Sequence, residues 1–456
     1  MLLPPRAGLS PLSDDAFKLS RWSTAETLVN LDEQGNARPG LATVWTRRDD
    51  RTWEFTVRQG VTFHDGTRLS AQVAANALTH AAEATPKPRI LDGVALKARA
   101  ESDKVVVTTG GPDPLVPHRL SSPQLSILAE SAYGQNGKVN PVGTGSGPFK
   151  LTRVNGTTTA TLDRYDGYWG GKAKATGIDV SFVPDGTARA AAIRSGAAHI
   201  AEAVPVSQAA LLPKETISEV PMPRTNTLYL NTATGPFKDP GARAAVRAAI
   251  NAAQLVKGVY EGRADVAGGL LGPALPWAAE GRRALTERTA PADAKGTSIS
   301  LATYSDRPEL PEIASVLQQQ LQAAGFTVRL VVREYAHIEE DALAGKFDAF
   351  ILSRATMLDS GDPVAYLQAD FTCDGSFNLA KLCDKDVDRA VRRAAATEAG
   401  AARRAAILEA EAAILGTDAA IPMLHERVIQ GDATAVVDSA KDPRERLLVT
   451  VDTRLK

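Results

Sequence analysis

The stretch 297–353 restricts the fold more than any other part of the chain, because its hydrophobic pattern switches repeatedly between strand and helix spacing. "TSISLAT" alternates Ile299 and Leu301 and predicts a strand. "PELPEIASVLQQQLQAAG" then places Ile313, Val316, Leu317 and Leu321 on one helical face, and Gly325 follows the last turn, where a left-handed cap is usual. "FTVRLVV" predicts a second strand, 335–345 a short helix and "FDAFILS" a third strand. Strand–helix–strand–helix–strand of this kind builds a parallel, open sheet with right-handed crossovers. Ligands of such sheets collect outside the carboxyl ends of the strands. Arg307 and Asp359 each sit just after a strand end, and an acid there is costly to desolvate unless a cation meets it.

The first half has a different texture. Trp53, Phe55 and Val57, then Val61 and Phe63, alternate around the turn signals "RQG" and "HDG", which predicts antiparallel hairpins. "KVVVTT" and the segments after "SGPF" continue in that style. A helical run over 240–257 puts Val246, Ile250 and Ala253 on one face, and the Ala-rich stretch 387–415 predicts one long helix or a pair. Pro/Gly-rich boundaries near 221–236 and 417–425 suggest that the C-terminal tail returns to the first domain.

With 456 residues the chain is too long for one core and should form two or three domains. A net charge of −1 leaves no footprint for nucleic acid or an anionic membrane. No stretch reaches the roughly 18–20 unbroken apolar residues that a membrane helix needs. "MLLPPRAGLSPL" shows no apolar leader core, which taken alone favours the cytoplasm. Cys373 and Cys383 point the other way: a disulfide closing a loop around Gly375 would imply an oxidising compartment, although two buried free thiols remain open. A two-thiolate metal site would need further ligands, and no His lies in that segment.

Few constellations suggest catalysis. His64–Asp65 in "FHDGT" is first of all a turn. "GTGSGPF" lacks the spacing of a phosphate loop and leads into a strand-like segment. His80, His118, His199, His337 and His425 form no metal-binding array, and there is no nucleophile-elbow motif. His425 could line a cleft, with a satisfied interior histidine the plainer reading. Asp359 and Asp362 leave room for a carboxylate hydrolase.

Several blocks resemble family 5 of the extracytoplasmic solute-binding proteins, the peptide and nickel receptors of ABC importers. "PGLATVWTRRDDRTWEFTVRQGVTFHDGTRLSAQVAANAL" looks like the family signature, and "PVGTGSGPFKL", "YDGYWGG", "VPDGTARAAAIRSGAAHIAEA" and "TLYLNTATGPFKDPGARAAVRAAINAAQLVKGVYEGRA" resemble later blocks in the right order, from about 28 to 430. The resemblance implies an α/β, two-lobed periplasmic-binding-protein fold (type II, the large cluster with an extra subdomain in lobe one) with a doubly wound second lobe. Lobe one is expected over 1–228, its extra hairpin-rich subdomain over about 45–175, lobe two over 229–424, and a C-terminal return to lobe one over 425–456. It also implies a binding receptor, not an enzyme, that encloses a short peptide between its lobes and passes it to a membrane permease. No cofactor and no nucleic-acid partner are expected. Such a receptor is extracytoplasmic, expected as a monomer, periplasmic or held as a lipoprotein through a leader not present in this chain.

The resemblance is closest in site residues to dipeptide receptors. It places Asp359 in "LDSGDP" on a peptide ammonium and Arg307 in "YSDRP" on its carboxylate, with Cys373 and Cys383 where those receptors carry a cysteine pair. An Arg fork matches a carboxylate in two-point contact. The alternative is that Arg307 is a surface residue and Asp359 a local cap. Trp22, Phe17, Tyr366 and Trp277 are candidate apolar walls. The sequence departs from the family in Gln72, which replaces an acid, and in "GTGSGPF", two residues longer than usual. "AANALTHA" leans towards the nickel branch, with Arg119 as a possible chelator contact and His425 as the metal-side candidate, so a metal chelate is the alternative ligand.

Overall fold

Among the residues that the computed structural model describes, all but 135–136, 286–287 and 358–359, the chain builds two units. The first holds Met1–Val220, Val428–Lys456 and a short stretch ending at Gly361; the second holds Pro221–Met357 and Asp362–Arg427.

In the first unit the alternating runs do form antiparallel sheet, but not the hairpin expected across "RQG": Thr52–Val57 pairs with Ala42–Arg47 and Lys104–Thr109, and among the described residues the segment holding Val61 and Phe63 makes only the isolated bridge Thr62–Arg68. Strands Ala42–Arg47, Thr52–Val57, Lys104–Thr109 and Leu96–Glu101 lie in that order in one antiparallel sheet. Phe55, Val57, Val105 and Val107 turn inwards against Ala74, Ala77 and Leu78 of the helix Ala71–Glu83. Ser70 starts that helix by accepting the Val73 N–H at 3.3 Å, a standard N-cap. Strands Phe149–Asn155, Thr159–Arg164 and Gly177–Ser181 form a second antiparallel sheet over a core that includes Leu19, Trp22 and Phe149.

The motifs of this unit lock onto one another. The His64 ring meets the Gly147 carbonyl at 2.8 Å, and the Asp65 carboxylate accepts from Thr67 and Ser131. A side chain at Gly145 or Gly147 would collide with the backbone of Thr24 or Ser23, so "GTGSGPF" needs glycine for close packing. Glu26 accepts from Ser146 (2.7 Å), Tyr168 (3.0 Å) and Trp169 (3.1 Å), and Arg58 lies over the Trp169 ring. Burial pushes the Glu26 carboxyl up, and the three donors hold it back. These signatures fix the fold.

In the second unit the strand order is Ala420–Asp432, Ile217–Leu230, Ala349–Ala355, Ser298–Tyr304, Thr327–Arg333, the first two strands also contributing residues to the other unit. Ser298–Tyr304 runs parallel to both its neighbours, as the period switching requires. The sheet is mixed, because Ile217–Leu230 joins it antiparallel to Ala349–Ala355. The helix Glu309–Ala323 buries Leu310, Ile313, Leu317 and Leu321, and Gly325 has the left-handed φ of +104°. Val316 is only half-buried.

One helix expectation needs correction, and the alternative left open for another is decided. The run 240–257 is two helices, Pro240–Ala249 and Ala252–Gly258, because Ile250 is extended and the Asn251 side chain caps the second by accepting the Gln254 N–H. The Ala-rich stretch is the pair Lys385–Ala396 and Ala401–Gly416, separated at Gly400 with φ +129°. Cys373 and Cys383 are joined in a disulfide. Among the described residues no helix is long and apolar enough to cross a membrane.

Candidate functional site

The carboxyl ends of the parallel strands carry a cluster built on Arg307. Ser298–Tyr304 delivers Tyr304 and then Arg307, Ala349–Ala355 delivers Ser353, and Ala420–Asp432 delivers Glu426. Arg307 Nη1 donates to Glu426 Oε2 at 2.7 Å, and Ser353 Oγ donates to Glu426 Oε1 at 2.6 Å. Glu426 is buried, whereas 34% of the Arg307 side chain is exposed. The Glu426 carboxylate holds the Arg307 guanidinium above its ordinary value, working against burial. Tyr304 and Tyr260 are buried beside it, and burial raises both phenols, so they stay neutral donors and acceptors.

A guanidinium has five N–H donors in a rigid fork. Among the described residues the Arg307 side chain has the single hydrogen-bond partner Glu426, which leaves an edge of the fork for an oxygen acceptor of a ligand. That edge can hold a carboxylate or a carbonyl; nothing in the cluster resembles a nucleophile with its base.

The other predicted residues scatter. Asp359 lies outside the described residues. His425 and Glu426 are neighbours on one strand, so their side chains take opposite faces. His425 is 3% exposed, with Nδ1 at 2.9 Å from Thr225 Oγ1. The Thr225 hydroxyl proton goes to the Leu270 carbonyl, so Nδ1 is the donor of that contact. Burial, with the nearby Arg282 cation, lowers the imidazole to about 4. No group of three or more His, Cys, Asp or Glu among the described residues could hold a metal ion.

His425 and Trp277 line a cavity of about 1140 Å³ with Arg282 and Glu411, and Arg307 and Tyr366 are not on its wall. Arg282 and Glu411 are already paired, Nε to Oε2 at 2.9 Å. Tyr366 is a core residue, edge-on to Phe371 and beside Arg354, which makes a two-point contact with buried Asp370. Trp22 and Phe17 are buried in the first unit, Trp22 tilted against Phe182 at 6.1 Å. Trp22, Phe17 and Tyr366 therefore act as packing side chains within their own units. Arg119 donates to Asp113 (2.6 Å) and to the Ile90 carbonyl (3.0 Å), a structural use of its fork.

Sequence reasoning missed Ser353 and Glu426. The signal for Glu426 was there: strand alternation in "IPMLHERV" turns Glu426 away from His425, towards the strand ends that carry Arg307.

Comparisons with known proteins agree on the architecture. The family described as bacterial extracellular solute-binding proteins, family 5 Middle, matches residues 36–378. The glutathione-binding protein GsiB of Salmonella paratyphi A is 29% identical over 328 residues, covering 67% of this chain and 63% of that protein. The chain thus spans under two thirds of the length of the curated relatives it matches. A nickel ABC transporter structure from Bacillus halodurans is 25% identical with a TM-score of 0.83, covering 99% of this chain and 98% of that one. DppA from Helicobacter pylori, in complex with the peptide STSA, is 20% identical with a TM-score of 0.76, covering 100% and 97%, and shares the fold. The period switching, the interlocked glycine motifs and the family match over most of the chain lead to one conclusion: this protein belongs to the bacterial extracellular solute-binding proteins of family 5.

Proposed function

We propose that the chain is the receptor of an ABC importer, which binds a short peptide outside the cytoplasm as a monomer and delivers it to a membrane permease. The observation that carries this reading is Arg307: a partly exposed guanidinium at the carboxyl end of a parallel strand, held on one side and open on the other. It would take the peptide's terminal carboxylate, and the sequence motif assigns the ammonium to Asp359. The glutathione-binding relative and the peptide-bound DppA structure are in keeping with it. The receptor binds without converting: of the two acids a carboxylate hydrolase would use, Asp359 lies outside the described residues and Asp362 is closed in an ion pair with Arg403.

The nickel transporter structure supports a second reading, in which the ligand is a metal chelate whose carboxylates meet the same guanidinium. A thermal-shift titration separates the two. Pooled dipeptides and tripeptides, with free and with N-acetylated ends, are compared with nickel plus histidine. A ligand at a hundred times its Kd adds about 2.7 kcal/mol, a readable change. The peptide reading expects a shift with free peptides that acetylation abolishes. A shift with nickel and histidine alone would move the protein to the chelate reading.

A further inference from the structure

Glu426 is an odd neighbour for an anion-binding arginine. It places a carboxylate on the guanidinium that a ligand carboxylate would seek, and it is held there by Ser353. The Arg307–Glu426 pair has zero net formal charge, so an arriving carboxylate gains the hydrogen bonds of the open edge and little net Coulomb attraction. An uncharged carbonyl gains nearly the same. Resting on the reading of Arg307 as the ligand contact, we propose that Glu426 is a specificity-determining residue. It levels the site's preference between a ligand ending in a carboxylate and the same ligand ending in a carboxamide, and keeps the grip weak enough for release.

The test is a ratio, which cancels general effects on folding. Affinities of one dipeptide as free acid and as C-terminal amide are measured in the wild type and in Glu426→Gln, which keeps the shape and the Ser353 contact. The acid-to-amide ratio should lie within about threefold in the wild type and rise about tenfold in the variant. An unchanged ratio would overturn the proposal. A second arm needs no peptide: propionate and propionamide are titrated while the Arg307 Nε–H resonance is followed by NMR, with Arg307→Met to assign it. Propionate should move that resonance at lower concentration in Glu426→Gln than in the wild type, and equal response would contradict the proposal. If the variant does not fold, the wild type decides alone: a neutral pair predicts carboxylate binding nearly independent of ionic strength, and steep salt weakening would refute it. The peptide reading fails separately, if no peptide binds either protein while the propionate arms still differ.

Discussion

Two arginine–carboxylate pairs of the second unit use the same chemistry to opposite ends. Arg403 spends its fork within the fold: Nε and Nη2 go to Asp362 at 2.7 and 3.0 Å, and Nη1 goes to the carbonyls of Ala394 and Thr397. Its side chain is 3% exposed. Asp362 in turn accepts the N–H of Val364, the first residue of the helix Val364–Phe371, at 2.9 Å. Among the described residues Arg307 spends one amine on Glu426 and has the rest of its fork unspent. What separates a clasp from a contact site is therefore the number of donors left over, more than the presence of an ion pair. The "GDP" motif illustrates this: its Asp362 could pass for a catalytic acid in sequence and is a structural clasp in the fold.

The comparison breaks first at Arg403. Arg403→Met strands a buried carboxylate and should cost about 3–5 kcal/mol of stability, read by urea unfolding; a cost below about 1 kcal/mol would show that the clasp does not hold the fold. Next in size is an acid effect on the face of the site strand that points away from Glu426. His425, and His64 in the first unit, are held down to about 4 from an ordinary value of 6.5. A histidine with a lowered folded value contributes full stability above pH 6.5, and that contribution is lost as pH falls towards 4. Each should cost roughly 3 kcal/mol when the loss is complete. His425→Gln should flatten part of that decline in a pH series of melting curves, and an identical decline would put the acid lability elsewhere. Smallest is the stability cost of Arg307→Met, about 1–3 kcal/mol, because Arg307 gives up one partly solvated contact, whereas Arg403 also gives up the Ala394 and Thr397 carbonyls. A cost as large as that of Arg403→Met would make Arg307 a second clasp.

Much of the fold was legible because its signals are local. The spacing of Ile299 and Leu301, then of Ile313, Leu317 and Leu321, reports strand and helix within a few residues, and the family wording extends that reading over both units. The site was less legible because its partners are far apart in the chain: Glu426 lies 119 residues from Arg307, and Arg403 lies 41 from Asp362. No pattern in the sequence announces such pairs. The break at Asn251 was hidden for another reason: the apolar spacing of Val246, Ile250 and Ala253 continues across it, and one side-chain cap there outweighs periodicity. His425 attracted notice as a possible cleft-lining and metal-side residue, while alternation had already turned it away from the cluster.

The most direct measurement of the central claim is calorimetric titration of the best-binding dipeptide into wild type and Arg307→Met, both shown to be folded at the temperature used. The receptor account predicts a loss of roughly tenfold to a hundredfold in affinity, the worth of a charge-assisted contact of about 1.5–3 kcal/mol. Equal affinity in the two proteins would mean that the open edge of Arg307 faces no ligand, and the account would be wrong.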